Sequence, residues 1–255
     1  MSDLLQRVTA FRAAFARRQA PETVELPGAF AIRHPGFPRS QEQNQLVVPG
    51  PEADPAALPA LAAQGLGDRR DYRISVLDEA LGRRAEPVLA AAGYGLDVEL
   101  VLARDTAGCV RPEPAAEPVS VAELREAVLA QQLRWWPGDE ELARQLHGRR
   151  AARLHGAEEV LFLAVRAPDG EIAGWVDLYL DRAAGLAQLE DLVTAEPHRG
   201  QGHGDTLLAT GLALAAEAGI PQLFLNADAA DWPKDWYAHR GFRQIGRNYS
   251  FLRLR

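Results

Sequence analysis

The sequence predicts an α/β (α+β) fold with a mixed sheet, and three observations support this class. Residues 120–255 alternate helix and strand patterns in the order ααβββαβαβ. A glycine-rich loop, residues 199–204, lies between a strand pattern and a helix pattern. Residues 90–104 repeat, in weaker form, the glycine–aromatic pair and the strand pattern of residues 238–254. The chain is therefore expected to hold an α/β domain in its second half and a degenerate copy of it in the first.

The elements of the first half follow from apolar spacing. A basic, alanine-rich stretch, residues 1–19, predicts a capping helix, although a transit peptide has a similar composition. Residues 71–78 predict a strand and residues 80–93 a helix. A second strand is expected over residues 94–104, and it completes a strand–helix–strand unit.

A proline-rich stretch separates the two predicted domains. Residues 104–121 contain three prolines and small residues without periodicity, which predicts a linker. A boundary near residue 115 gives one domain over residues 1–115 and another over residues 116–255.

Caps and turns predict the elements of the second domain. Ser120 and Glu123 form a capping box before a helix over residues 121–136, and Asp139 can cap the helix that follows. The further elements are a helix over 140–154, strands over 159–167 and 172–180 joined by a tight turn, a strand over 186–194, a helix over 205–219, a strand over 222–228, a short helix over 234–241 and a final strand or strand pair over 242–254.

The composition excludes several classes of function. Hydrophobic residues make up 47% of the 255 residues, an ordinary value for a globular protein that buries a core. No apolar run approaches a membrane span and the start has no signal-peptide core, so a cytoplasmic protein without membrane contact is expected. The net charge of −7, without basic clusters interleaved with aromatics, disfavours nucleic-acid binding. Cys109 is the single cysteine and the six histidines lack ligand spacing, so no metal site is expected.

The glycine loop fits two common nucleotide motifs poorly. A Walker loop ends in Gly-Lys-Ser/Thr, and no lysine stands here. A dinucleotide fingerprint could use Gly200 and Gly202, but its third glycine falls on Asp205, whose carboxylate repels a pyrophosphate. Asp228, at the end of the next strand, could still bind a ribose, so a dinucleotide enzyme remains an alternative.

The pattern Arg-x-x-Gly-x-Gly, formed by Arg199, Gly202 and Gly204, has a direct physical logic. Glycines let the backbone approach a ligand, and N–H groups at a helix N-terminus point at a pyrophosphate. The arginine adds a charge-assisted contact.

These residues resemble the acetyl-CoA loop of the GCN5-related N-acetyltransferases (GNAT family). The resemblance covers about residues 120–255. "LEDLVTAEPHRG" is similar to the strand and loop of the family, with Thr194 at the place of its valine, and "DWYAHRGF" is similar to its Tyr-to-Gly-Phe helix, with Tyr237 as the tyrosine. An asparagine common in the family falls on Ala230, so Asn226 is a nearby substitute.

The resemblance implies a mixed, mostly antiparallel sheet, and a first domain that is a degenerate GNAT-like unit without a cofactor loop. It implies transfer of an acetyl group from acetyl-CoA to a primary amine by direct attack, through a tetrahedral intermediate and without a metal. The strand before the loop should splay from its neighbour and expose backbone groups to the pantetheine. The residues implied to bind acetyl-CoA are Leu192, Val193, Thr194, Arg199, Gly200, Gln201, Gly202, His203, Gly204, Asp205 and Asn226.

Two side chains are candidates for proton transfer. Tyr237 would protonate the leaving thiolate, or else it is an aromatic packed beside Trp236. Glu190 would accept the proton of the amine, or else it is a solvated carboxylate at the strand edge. Asp191 and His239 are reserve bases. Regular strand alternation would put Glu190, Leu192 and Thr194 on one face and Asp191 and Val193 on the other.

The acceptor is expected to be a small-molecule amine or a peptide amine, because the acidic chain attracts cations. Trp135 and Trp136 are either core residues or, if exposed, an apolar wall of the acceptor groove. A different class of function also stays open, namely an acyl-CoA-binding sensor or scaffold without catalysis. The sequence leaves open whether the protein is a monomer or a homodimer.

Overall fold

The computed structural model describes residues 2–69 and 72–253. The chain forms two units, one made of residues 1–102 with residues 226–255 and the other of residues 103–225. The predicted domains, residues 1–115 and 116–255, stay a prediction. They divide the chain by its sequence repeat, whereas the two units divide it by compactness. Met1, Asp71 and Leu254, which end predicted elements, lie outside the described residues.

The helices are α1 (Asp3–Gln19), α2 (Leu58–Leu66), α3 (Glu79–Ala91), α4 (Arg125–Trp135), α5 (Glu140–Gly148), α6 (Arg150–Arg153), α7 (His203–Glu217) and α8 (Pro233–Ala238). The strands are β1 (Glu22–Leu26), β2 (Ala29–Arg33), β3 (Gln45–Val48), β4 (Arg73–Val76), β5 (Tyr94–Asp105), β6 (Glu117–Val119), β7 (Glu159–Arg166), β8 (Ile172–Asp181), β9 (Leu186–Thr194), β10 (Gln222–Asp228) and β11 (Arg243–Arg253).

The first unit is built on a mixed sheet. Strands β1, β2 and β3 pair antiparallel, β3 pairs β4 in parallel, and β4 pairs β11 antiparallel. The parallel pair is complete, because its register runs from Gln45 opposite Arg73 to Val48 opposite Val76. Side-chain caps fix two of the helices: Ser2 accepts from Leu5 N in α1, and Asp78 accepts from Leu81 N in α3.

The second unit repeats this pattern of pairing. Strands β6 to β9 pair antiparallel in chain order, and β9 pairs β10 in parallel. The parallel register covers only three residue pairs, from Leu186 to Gln188 on β9. Helix α4 packs on β7 and β8 through Val128, which lies in a cluster with Phe162 and Trp175. Helix α7 packs so closely that a Cβ on Gly211 would lie 2.9 Å from the Leu189 side chain.

The element order βββαβαβ therefore occurs twice. It runs from β1 to β5 through α2 and α3, and again from β7 to β11 through α7 and α8. In both copies the first two strand pairs are antiparallel and the third is parallel. This confirms the predicted α/β class with mixed, mostly antiparallel pairing and a degenerate first copy.

Two predicted elements differ from the structure in detail. The capping box forms, with Glu123 N donating to Ser120 Oγ over 3.2 Å, although α4 begins at Arg125. The single helix predicted over residues 140–154 is divided into α5 and α6, because Gly148 is a weak helix former and α5 ends there.

The segment predicted as a linker is anchored to the second unit. Within it, β5 extends to Asp105 and β6 covers Glu117–Val119. Thr106 N donates to Pro221 O over 3.1 Å, and Ala116 N donates to Thr210 Oγ1 over 3.0 Å. These bonds occupy backbone groups that a flexible linker would leave to water.

Candidate active site

The glycine loop connects β9 to α7 through a conformation that glycine favours. After a short 3-10 turn, Glu196–His198, Gly200 has φ 75° and Gly202 has φ 83°. No atom lies within 4 Å of a Cβ built at either glycine, so the requirement is conformational and not steric. An L-residue pays about 1–2 kcal/mol for such a backbone.

The first turn of α7 has donors without helical acceptors. Thr206 N donates to Gly202 O over 3.1 Å and begins the helical hydrogen bonds. The N–H groups of His203 and Gly204 precede it, and an α-helix offers no acceptor there. Gly202 occupies the N-cap and has no side chain that could accept from them. This end of α7 is thus open to an anion.

The side chains of the loop add further polar groups. Nε2 of His203 is buried without a hydrogen-bond partner among the described residues. The ring of His203 meets the ring of His198 edge-on at 6.2 Å. Arg199 is exposed, and Gln201 Nε2 donates to Pro197 O at 3.5 Å. A buried polar atom that lacks a protein partner marks a place where a ligand group can bind.

Strand β9 leaves one backbone edge open. Its pairing with β10 ends at Gln188, whereas the strand continues to Thr194. Ala195 N donates to Ala173 O over 2.9 Å, toward β8. Successive residues of an extended strand direct their N–H and C=O groups to opposite edges. Leu192 and Thr194 therefore direct their N–H and C=O groups away from β8. These groups face the edge of β9 that β10 no longer pairs with.

A β-bulge interrupts β9 just before this edge. Glu190 pairs with Asp177 and Val193 pairs with Trp175, so two residues of β9 face one residue of β8. Asp191, inside the bulge, has φ 52°. Among the described residues, Asp191 is the one residue other than glycine that has a positive φ.

The bulge corrects the predicted strand alternation. Residues directly opposite one another share a face of the sheet, so Glu190 and Val193 lie on the same face, that of Asp177 and Trp175. Thr194 lies on the other face, although regular alternation predicted that it shares a face with Glu190.

Glu190, the candidate base, lies half-buried on this face. Its Oε2 accepts a hydrogen bond from Gln188 Nε2 at 2.7 Å. Leu192, Val193 and Thr194 are half-buried as well, in contrast to the buried first half of β9. The strand thus becomes accessible at the point where its pairing with β10 has ended.

Asp191 does not resemble a proton acceptor. Its Oδ2 accepts from Arg153 Nη1 at 2.7 Å, from Arg150 Nη2 at 3.0 Å and from Arg149 Nη2 at 3.4 Å. Arg150 Nε and Arg153 Nη1 also donate to the fully buried Asp177, at 3.1 Å and 2.5 Å. We call these three arginines and two aspartates the arginine–aspartate cluster.

The cluster controls the protonation of Asp191. Burial by itself would raise the pKa of the Asp191 carboxyl, but the three guanidinium groups, Arg153 most strongly, hold that pKa well below its ordinary value. The Arg150 pKa is raised, because Asp177 and Asp191 outweigh the effect of its burial. A carboxylate this acidic is a poor base for an ammonium group.

The other residues that the sequence predicted for the site belong to the first unit and are described within it. Tyr237 in α8 is 8% exposed, and its ring meets Trp236 at 4.9 Å and Phe242 at 5.6 Å. Asn226 Oδ1 accepts from Asn248 Nδ2 at 3.3 Å. His239 is exposed, and its Nδ1 lies 2.6 Å from Asp235 O.

The paired tryptophans at the end of α4 are exposed, so their interpretation as core residues is wrong. Trp135 is 50% exposed and Trp136 is 53% exposed. The preceding Arg134 forms an ion pair with Glu196 in the turn that leads into the glycine loop. The tryptophans therefore lie on the surface, directly after a residue that contacts that turn.

Sequence reasoning missed the arginine–aspartate cluster. One signal was present, because Asp177 is the charged residue in the otherwise apolar run "IAGWVDLYL". A charge in a buried strand requires a partner. The arginines of "GRRAARL" were candidates for that partner.

The second copy has an anion-binding helix N-terminus next to an open strand edge, and one protein family matches this part of the chain. Residues 125–242 match the model of the Acetyltransferase (GNAT) family. The match covers less than half of the chain and takes in α4 to α8, and the first βββαβαβ copy lies outside it. A comparison with curated proteins finds no match to the chain.

Solved structures show the same fold over nearly the whole chain. A GCN5-related N-acetyltransferase from Kribbella flavida is 19% identical with a TM-score of 0.66, over 98% of this chain and 96% of that one. A tandem GNAT protein from the clavulanic acid biosynthesis pathway is 16% identical with a TM-score of 0.54, over 98% and 95%. A GCN5-related N-acetyltransferase from Sphaerobacter thermophilus is 18% identical with a TM-score of 0.54, over 88% and 76%.

Neither a metal-ligand cluster nor a membrane-spanning helix occurs among the described residues. Within them, no group of three or more His, Cys, Asp or Glu side chains is arranged to hold a metal ion. None of the described helices combines the length and the apolar character that a membrane crossing requires.

Proposed function

We propose that the protein is an N-acetyltransferase that moves an acetyl group from acetyl-CoA to a primary amine by direct attack. The observation that carries the proposal is the open end of β9, which leads directly into the uncapped N-terminus of α7. In the first unit, β3 and β4 pair along their whole length. The segment that follows β3 carries Pro49, Pro51 and Pro55, which have no N–H to donate. Among the residues that the structure describes, the cradle proposed for acetyl-CoA therefore lies in the second copy.

Acetyl-CoA fits the residues of this cradle. The N–H groups of His203 and Gly204 face a pyrophosphate without competition from a cap. Nε2 of His203 has no other partner among the described residues. The exposed Arg199 adds a positive charge. The proposed contacts to the coenzyme also include Gly200, Gln201, Gly202, Asp205, Leu192, Val193, Thr194 and Asn226.

The side chains have distinct roles in the proposed reaction. Bound acetyl-CoA supplies a thioester carbonyl for attack by the amine and a thiolate as leaving group. The backbone N–H of Leu192 donates a hydrogen bond to the carbonyl oxygen, and such a donor contributes about 3–4 kcal/mol to catalysis. Glu190 accepts the proton that the amine loses. Tyr237 gives a proton to the sulfur, a role that comes from the family resemblance.

The exposed tryptophans suit the acceptor side of the site. Trp135 and Trp136 offer aromatic faces, which attract a cationic or apolar amine. We propose a small-molecule or peptide amine as the acceptor, without a nucleic-acid or membrane partner. The proposed location is the cytoplasm, with the protein as a monomer or homodimer.

The decisive experiment is an assay of released CoA thiol across a panel of primary amines. We expect thiol release that depends on both acetyl-CoA and an amine. Binding should also be visible, because a ligand that binds only the folded state raises the melting temperature, and this shift grows with the concentration and the affinity of acetyl-CoA or CoA. Acetyl-CoA binding without amine-dependent thiol release across the panel would contradict the enzyme and favour an acyl-CoA sensor. Stabilisation by NAD alone would favour the dinucleotide alternative.

A glycine variant tests the loop as the coenzyme site. Gly202→Ala is expected to weaken acetyl-CoA binding about tenfold or more, because a residue that avoids φ 83° turns the loop amides away from the ligand. Gly219→Ala is the matched control, since Gly219 has φ 72° and open space at the other end of the same helix. Both variants should lose similar stability. Equal acetyl-CoA affinity in the two would exclude this loop.

The role of Glu190 is tested by the pH dependence of kcat. Glu190→Gln keeps the size of the side chain and can keep its contact with Gln188, but it cannot accept the proton of the amine. We expect a lower kcat and the loss of the acidic limb of the pH–rate profile. An acidic limb identical to that of the unchanged protein would reject the assignment.

A further inference from the structure

The bulge in β9 depends on an unfavourable backbone conformation. Asp191 has φ 52°, which asparagine and aspartate tolerate better than most residues but which still carries strain. Strained residues persist where the surrounding structure over-determines them. Asp191 therefore requires contacts that hold its backbone in this conformation.

The arginine–aspartate cluster supplies that restraint. Three guanidinium groups from the end of α5 and from α6 hold the Asp191 carboxylate at 2.7–3.4 Å. Two of them, Arg150 and Arg153, are themselves fixed by Asp177 on the neighbouring strand. Their side chains are 2% and 0% exposed, so they have little freedom to move. The cluster thus ties the bulge of β9 both to a helix and to β8.

The bulge decides which backbone groups face the open edge. A change of one residue in register reverses the direction of every residue that follows. Leu192 and Thr194 now direct their N–H groups away from β8 because the bulge inserts one residue before them. Without the bulge, those groups would face β8 and the neighbouring residues would face the ligand.

We infer that Asp191 is a positioning residue: its ion pairs with Arg149, Arg150 and Arg153 hold the bulge and thereby aim the Leu192 N–H at the acetyl group. Its side chain acts through the backbone and transfers no proton. This inference rests on the proposed function. The arginine–aspartate cluster then positions the backbone of β9 for catalysis and does not only stabilise the fold.

Two variants that both remove the carboxylate separate this role from others. Asp191→Ala removes the ion pairs and keeps the backbone strain, so the bulge should relax. Asp191→Gly removes the ion pairs but accepts φ 52° without strain. We expect Asp191→Ala to lower kcat about tenfold or more, and Asp191→Gly to recover part of that loss, by about threefold or more. Both should keep the acidic limb of the pH–rate profile, which Glu190→Gln loses.

The outcomes distinguish a positioning role from a base and from a purely structural role. Equal kcat values for the alanine and glycine variants, with the acidic limb lost, would make Asp191 a base and overturn the inference. An unchanged kcat in Asp191→Ala would make the cluster merely structural and also overturn it. If either variant folds poorly, Asp191→Asn keeps the size and the tolerance of positive φ, and it should fall between the unchanged protein and Asp191→Ala.

A second readout is independent of catalysis. Amide hydrogen exchange at residues 192–194 in the protein without ligand should speed up in Asp191→Ala more than in Asp191→Gly. If no amine is acetylated, the proposed function fails, but this exchange difference still supports the restraint on the bulge. Equal exchange in the two variants would overturn the inference whatever the activity.

Discussion

Replacing Tyr237 by phenylalanine is expected to lower kcat about 100-fold or more while leaving acetyl-CoA affinity nearly unchanged. The proposed role of the phenol is to protonate the leaving thiolate, and thiol and phenol pKa values, about 8.5 and 10, are close enough for this transfer. The ring already packs between Trp236 and Phe242. Phenylalanine can keep those ring contacts, so the variant removes the hydroxyl and the contacts that the hydroxyl makes. Steady-state kinetics together with acetyl-CoA binding measure the two quantities separately.

The matched control is another buried tyrosine of the same unit. Tyr249 in β11 is 4% exposed and its ring stacks on Phe251. Tyr249→Phe also removes a hydroxyl from a packed aromatic, and we expect kcat to stay near its original value. Unchanged turnover in Tyr237→Phe would show that Tyr237 is only a packing residue. Another group would then have to protonate the leaving thiolate.

The sequence predicted the fold well because its signals are local. The glycine-rich residues 199–204 predicted a loop between a strand and a helix, and the structure has that loop, with positive φ at Gly200 and Gly202. The strand over Leu186–Thr194 has the bounds that its β-rich run predicted. Such features depend on residues near one another in the chain.

The bulge and the arginine–aspartate cluster could not be predicted in this way. The cluster joins residues 24 to 42 positions apart, from Arg153 with Asp177 to Arg149 with Asp191. The register of β9 against β8 depends on these contacts and not on the alternation within β9. The expectation that Thr194 shares a face with Glu190 failed for this reason. Positive φ at a residue other than glycine has no clear signal in a sequence.

Replacing Asp177 by asparagine is expected to lower the free energy of unfolding by about 3–5 kcal/mol. Asp177 is fully buried and accepts from Arg150 and Arg153. Without its charge, two buried guanidinium groups share the single carboxylate of Asp191. Removing one partner of a buried ion cluster costs more than the cluster contributes, because the remaining charges stay desolvated. Denaturant unfolding with an unchanged m-value measures this loss.

An exposed carboxylate of the same unit is the control for that variant. Glu158 accepts from Arg182 Nη1 at 2.9 Å and from the Arg182 backbone N–H at 2.9 Å, and both side chains are nearly half exposed. Glu158→Gln makes the same carboxylate-to-amide change in contact with water, where ion pairs contribute little. We expect a small change in stability. Similar losses of unfolding free energy in the two variants would mean that burial does not increase the effect of removing a carboxylate charge.

The pH dependence of stability completes the test of the cluster. Because the Asp191 pKa is lower in the folded protein than its ordinary 3.8, its ionised form contributes stability that is fully present above that pH. The contribution is lost as the pH falls below 3.8 toward the lower folded-state value. Asp191→Asn removes this titration, so its unfolding free energy should fall less steeply with acid than that of the unchanged protein. Parallel curves would show that the three arginines do not hold Asp191 ionised. The restraint on the bulge would then lose its electrostatic basis.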